Sequence, residues 1–243
     1  MNEATLKATA AALTADGKGL LAMDESNPTA DKRFAALGIA QTPEMRRAYR
    51  DLIVTAPGLA ESIAGAILYD ETIRTTTFAD VPFAQALAQA GIIPGIKVDA
   101  GARPLALHDG ELVTEGLDGL RERLAEYATM GARFAKWRAV ITIADAKNAP
   151  SRGCIEANAH ALARYAALCQ EAGIVPIVEP EVLMDGAHTL ARCAEATERT
   201  LHVVFDALRT QRVFLVNGQV IRPAVDLPRA GEDDAELDRK SVV

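Results

Sequence analysis

Phe134-Ala135-Lys136-Trp137-Arg138 is an apolar run broken by two cations two residues apart. On a β-strand, side chains at i and i+2 leave the same face, so Lys136 and Arg138 point together. Two desolvated like charges need opposite charges beside them. The next apolar run, Ile174-Val175-Pro176-Ile177-Val178-Glu179-Pro180-Glu181, ends in two carboxylates at the same spacing. Cations on one strand facing anions on its neighbour meet that need and also make an acid/base site; a buried ion-pair network without chemistry would meet it too.

Outward from this pair the theme repeats. Gly19-Leu20-Leu21-Ala22-Met23-Asp24, Gly65-Ala66-Ile67-Leu68-Tyr69-Asp70 and Gly95-Ile96-Lys97-Val98-Asp99 are short apolar runs that close on acids, and Gly218-Gln219-Val220-Ile221-Arg222-Pro223 is a sixth strand candidate. Between them lie helical patterns. Leu6, Ala10 and Leu13 mark one from about 4 to 16, stopped by Gly17. Thr42 and Pro43 open a second, with Met45, Tyr49, Leu52 and Ile53 expected inward. Phe83 to Ala90 is a short third, and Leu117, Leu120, Leu124 and Tyr127 form a stripe ending at Gly131. Ile155, Ala159, Leu162, Ala166 and Cys169 form another ending at Gly173, and a last helix runs from about His188 to Thr210. Glu25-Ser26-Asn27-Pro28-Thr29 reads as a turn.

Alternating strands and helices call for a parallel sheet with helices outside, hence an α/β fold. Polar residues gather at the C-terminal ends of five strands, which favours a (β/α)8 TIM-type barrel over an open doubly wound sheet. The motif count gives six of the eight strand-helix units. A partial barrel domain over 1–223 and a flexible acidic tail over 224–243 are therefore expected; the tail holds six acids and three bases with little apolar periodicity.

The formal charge of −7 argues against a nucleic-acid or anionic-membrane surface. Nowhere do about 18 apolar residues run together, and no basic-then-apolar leader opens the chain, so a cytoplasmic location is expected. Cys154, Cys169 and Cys193 sit in helical patterns and read as small buried hydrophobes. His108, His160, His188 and His202 lie far apart, so no metal site and no cofactor are expected.

Lys18 to Ser26, Gly95 to Asp99, Phe134 to Arg138 and Val178 to Glu181 resemble, in order, the strand-end motifs of class I fructose-bisphosphate aldolases, over Met1 to about Arg212. The resemblance implies an eight-stranded barrel, a homotetramer, and reversible cleavage of a phosphorylated sugar, fructose 1,6-bisphosphate, into triose phosphates in glycolysis without metal. It assigns Asp24, Lys136, Glu179 and Glu181 to proton transfer and carbinolamine chemistry, and Lys97, Arg138 and Arg33 to binding substrate and phosphates. Such roles make chemical sense. Cleaving a carbon–carbon bond beside a carbonyl needs an electron sink, which a lysine imine supplies, and phosphate needs cations. Singly, Asp24 could equally cap a turn, Arg33 lie on a helix surface and Lys97 only pair with Asp99.

Two departures stand beside the match. The resemblance implies an imine-forming lysine where this chain has Val220-Ile221-Arg222-Pro223. Guanidinium stays charged and has no free lone pair, so Arg222 cannot attack a carbonyl. The chain also reads as ending two units short of the family barrel. The first expectation is thus an aldolase-like lyase whose Schiff-base step lacks its usual amine. The alternative is a non-catalytic chain that binds phosphorylated sugars or assembles with aldolase subunits. A third option moves imine formation to Lys136, where burial favours the neutral amine and neighbouring carboxylates oppose it.

Overall fold

Five of the apolar runs lie side by side as one parallel sheet in a computed structural model, which describes residues 2–14, 17–144 and 148–215. They are β1 (Gly19–Ala22), β2 (Ile63–Leu68) and β3 (Ile93–Lys97), followed after a small hairpin, β4 (Ala102–Pro104) and β5 (Leu112–Thr114), by β6 (Phe134–Ile141) and β7 (Val175–Val182). The spatial order is β1-β2-β3-β6-β7. The sheet curls, and with its helices forms an incomplete barrel of the (β/α)8 TIM type. The sixth strand candidate with Arg222, and the acidic stretch 224–243, lie outside the described residues.

Alternation along each strand sorts the two faces. On β6, Ala135, Trp137 and Ala139 are fully buried against the helical layer, where Tyr165 of α8 (Arg152–Glu171) lies 5.4 Å from the Trp137 ring. All five apolar positions expected on α8 are buried. Gly131 and Gly173 end their helices with φ of +101° and +75°, a conformation that lets the chain turn straight into β6 and β7.

The opposite, concave face lines a lumen. At its N-terminal end Ile67, Phe134, Val175 and Ile177 pack with Leu6 and Leu13 of α1 (Glu3–Leu13), which plugs the floor. Phe134 fits because its neighbour on β3 is Gly95. A Cβ there would stand 2.3 Å from the Phe134 ring. Gly95→Ala is expected to destabilise the fold by about 1–3 kcal/mol through overpacking, read as a lower urea midpoint, and Phe134→Leu in the same chain should restore some of the loss.

Two expectations are corrected and one element is new. The turn at Glu25–Thr29 is instead the start of α2 (Asn27–Ala36), because Pro28 is tolerated in a first helical turn and Ser26 sits at the N-cap. The hairpin β4–β5 was not foreseen; its strands are three residues each, too short for a period-2 pattern to register. On α3 (Pro43–Val54) Ile53 packs against the core and Tyr49 against Phe34 as expected, but Met45 and Leu52 are exposed and the fully buried residues are Arg50 and Val54. The cause is that α3 faces carboxylates rather than an apolar core along some of its length, as the contacts below show.

Candidate active site

The lumen turns from apolar to charged one step above its floor. Register places Lys97 beside Lys136, and Arg138 beside Glu179. Each cation of β6 then leans two residues along β7 to its carboxylate. Lys136 Nζ lies 3.8 Å from Glu179 Oε2, and Arg138 contacts Glu181. Diagonal reach of this kind is ordinary for long side chains on neighbouring strands.

The closer partner of Lys136 is different from the one expected. Asp24, just past β1, has Oδ2 at 2.8 Å from Lys136 Nζ, so the main contact crosses the lumen rather than running to the adjacent strand. Curling of the sheet accounts for it: β1 and β6 are three strands apart in the sheet yet face each other. Two carboxylates thus share one buried ammonium, and all three side chains are about nine-tenths buried.

That sharing sets the protonation states. Burial pushes the Glu179 carboxyl up and outweighs the nearby Lys136, while Asp24 and Glu181 push it further, to about 7; Arg138 opposes. Burial alone would favour neutral Lys136, but Asp24 and Glu179 outweigh it and hold the amine above its usual range. The sign left open by sequence is thus upward in this arrangement, toward the ammonium form of Lys136. Arg138 is likewise held charged by its hydrogen bond to Glu181.

Lys97 contacts Asp99 Oδ1 and donates to the Asp99 carbonyl at 3.1 Å. Asp99 was expected only as a partner of Lys97, yet it does more. It also accepts the backbone N–H of Gly101 at 3.0 Å and that of Arg138 at 3.3 Å, so it ties the end of β3 to β6. Arg33 stands apart. On α2, with its side chain 62% exposed, it contacts Glu25 at the rim. The structure thus brings together Asp24, Lys97, Lys136, Arg138, Glu179 and Glu181 and leaves Arg33 beside them.

Sequence reasoning missed Glu25, Arg46 and Arg50. Arg50 donates to Glu25 Oε2 at 2.6 Å, and Arg46, one turn earlier, reaches Glu71 at 2.7 Å and Asp31 at 2.8 Å. The available signal was two arginines at i and i+4 of a helix that faces strand ends. Burial opposes ionisation of Glu25, but Arg50, its own backbone N–H and Arg33 together hold its carboxyl below the usual range. A separate cavity of about 440 Å³ lies on the outer surface, lined by Arg121, Arg164 and Leu168 among others. Arg121 is engaged there by Glu171 at 2.6 Å, and none of the strand-end charges reaches it.

Opposed carboxylates and cations at the C-terminal strand ends of a parallel α/β barrel define a polar site for an anionic substrate and proton transfer. Comparison with known proteins names the family. The model of the family described as fructose-bisphosphate aldolase class-I matches residues 5–240. A protein of Xanthomonas campestris pv. campestris named "Probable fructose-bisphosphate aldolase class 1" is 58% identical over 234 residues, covering 96% of this chain and 69% of that protein. Fructose-bisphosphate aldolase 1 of Toxoplasma gondii is 50% identical over 211 residues, 87% of this chain and 58% of that protein. The solved structure of Plasmodium falciparum fructose-bisphosphate aldolase, in complex with TRAP and a small-molecule inhibitor, aligns with a TM-score of 0.84 at 47% identity, over 86% of this chain and 60% of that one.

This chain belongs to the class I fructose-bisphosphate aldolase family, whose named members are carbon–carbon lyases of glycolysis. It spans 58% to 69% of the length of these three relatives. The family match runs to residue 240, so the likeness does not stop near Arg212 as expected. Among the described residues no helix is long and apolar enough to cross a membrane.

Proposed function

We propose that the lumen is the sugar-phosphate site of an aldolase-type lyase, with fructose 1,6-bisphosphate as ligand. One observation carries this reading: Lys136 held between Asp24 and Glu179, with Lys97 and Arg138 beside it at the strand ends. Lys97 and Arg138, joined at the rim by Arg33, are the phosphate-binding cations. A carboxyl near 7, like Glu179, can give or take a proton at neutral pH, which suits the carbinolamine and imine steps of Schiff-base cleavage. Asp24 and Glu181 join it in proton transfer, and charged Lys136 donates to a developing oxyanion.

The electron sink separates two readings. Arg222, at the position where the resemblance implies the imine lysine, cannot form one. Lys136, the amine between two carboxylates, is held protonated. An arginine at that position and a charged Lys136 are the grounds for the second reading, a chain that binds the bisphosphate without cleaving it or that joins aldolase subunits. Borohydride trapping with dihydroxyacetone phosphate, peptide mapping, and a cleavage assay on the same mass-verified protein decide between them. An adduct on Lys136 with turnover supports the lyase. Binding with neither adduct nor turnover supports the binding chain, and the absence of binding removes both.

Assembly as the family homotetramer and a cytoplasmic location belong to the same proposal; a relative in Arabidopsis thaliana is named a cytosolic aldolase. Sedimentation of the purified chain tests the first.

A further inference from the structure

We propose that Arg50 is the positioning residue that holds Asp24 against Lys136, a role that rests on the lumen being the functional site. β1 ends its pairing at Met23, whose N–H donates to the Ile67 carbonyl at 3.2 Å, and α2 begins at Asn27. Between them, among the described residues, no backbone-to-backbone hydrogen bond fixes Asp24 or Glu25. The sheet therefore does not by itself set where Asp24 points.

Arg50 reaches this gap from α3. Only 3% exposed, it donates from Nη2 to the Glu25 carbonyl at 3.1 Å and from Nη1 to Glu25 Oε2 at 2.6 Å. One planar fork thus grips the main chain and the side chain of the same residue, a geometry that a lysine ammonium does not reproduce. Arg33 contacts the other carboxylate oxygen. With Glu25 fixed on both sides, the adjacent Asp24 is carried to 2.8 Å from Lys136 Nζ. A turn earlier on α3, Arg46 has the matching role and ties α2 through Asp31 to Glu71. The basic stripe of α3 is thereby a brace for the loop that delivers Asp24.

The test is a carbon-13 NMR titration of the Glu179 carboxyl in the ligand-free full chain. Glu179 is faced by Lys136 and Arg138 from β6, by Asp24 from the end of β1 and by Glu181 of its own strand. Asp24→Asn removes a nearby negative charge and leaves Lys136 to Glu179, so the titration moves down by about one pH unit or more. Acting through Asp24, Arg50→Gln moves it down as well, and produces no further downward shift in the Asp24→Asn background. Loss of the Arg50 charge alone would push the titration up, so the sign separates positioning from simple electrostatics. Arg50→Lys keeps the charge but loses the fork; it should give a smaller downward shift, and it decides the matter if Arg50→Gln does not fold. An upward or absent shift in Arg50→Gln alone, or a further downward shift on top of Asp24→Asn, overturns the proposal even if thermal stability falls. Because no ligand is present, failure to bind fructose 1,6-bisphosphate would remove the functional reading and leave this result to stand separately.

Discussion

Lys136→Met lowers the unfolding free energy by about 3–5 kcal/mol at pH 8, because it leaves Asp24 and Glu179 buried without their shared cation. The loss is smaller at pH 6. Already in the native protein Glu179 titrates near 7 rather than at its usual 4.5, so the folded state holds a proton that the unfolded chain has released between those values. The stability that this proton contributes is complete below about 4.5 and is lost as pH rises through about 7. Without Lys136 the carboxyl rises further, and the pH at which the penalty sets in moves up with it. Urea unfolding of both proteins from pH 5 to 8 reads this directly. A uniform loss at every pH would mean that Lys136 is not the counter-ion of the pair.

Arg138→Gln weakens binding of fructose 1,6-bisphosphate by about 10- to 100-fold, the value of a lost charge-assisted hydrogen bond. Two effects combine: phosphate loses a guanidinium, and Glu181 loses its partner and stays nearby as an uncompensated anion. Glu181→Gln in the same chain should therefore recover some of the affinity. Since Arg138 and Glu181 are both about two-fifths exposed, added salt narrows the difference between wild type and variant. Quenching of Trp137, the single tryptophan, follows binding from the opposite face of β6. An unchanged affinity in Arg138→Gln would remove Arg138 from the binding site.

How far the sequence was legible depends on how local each signal was. The five strands of the sheet follow from short apolar runs that close on charged residues, and the sharing of one face by Lys136 and Arg138 from the two-residue repeat within one run. The closest contact of the site did not follow. Asp24 and Lys136 are 112 positions apart, and only the curl of the whole sheet brings them to 2.8 Å, whereas Glu179 on the adjacent strand was the natural local guess. The protonation state of Lys136 was undetermined for the same reason: burial and carboxylates act in opposite directions, and their balance depends on distances.

Arg50 shows a second limit. Helical periodicity reads as an apolar face, which places Leu52 inward; the structure exposes Leu52 and buries Arg50, because α3 meets Glu25 on that side. An arginine on a helix looks like a solvated surface charge until its acceptor is known. Arg33 is the reverse case, named through the resemblance and found at the rim on Glu25.

Calorimetric titration of the wild-type chain with fructose 1,6-bisphosphate at pH 8, in two buffers of different ionisation enthalpy, tests the central claim most directly. The account predicts saturable binding at one site per chain, uptake of about one proton as the incoming phosphates raise the Glu179 carboxyl, and loss of most affinity in Lys97→Met. No saturable heat, or binding that Lys97→Met leaves unchanged, would contradict it.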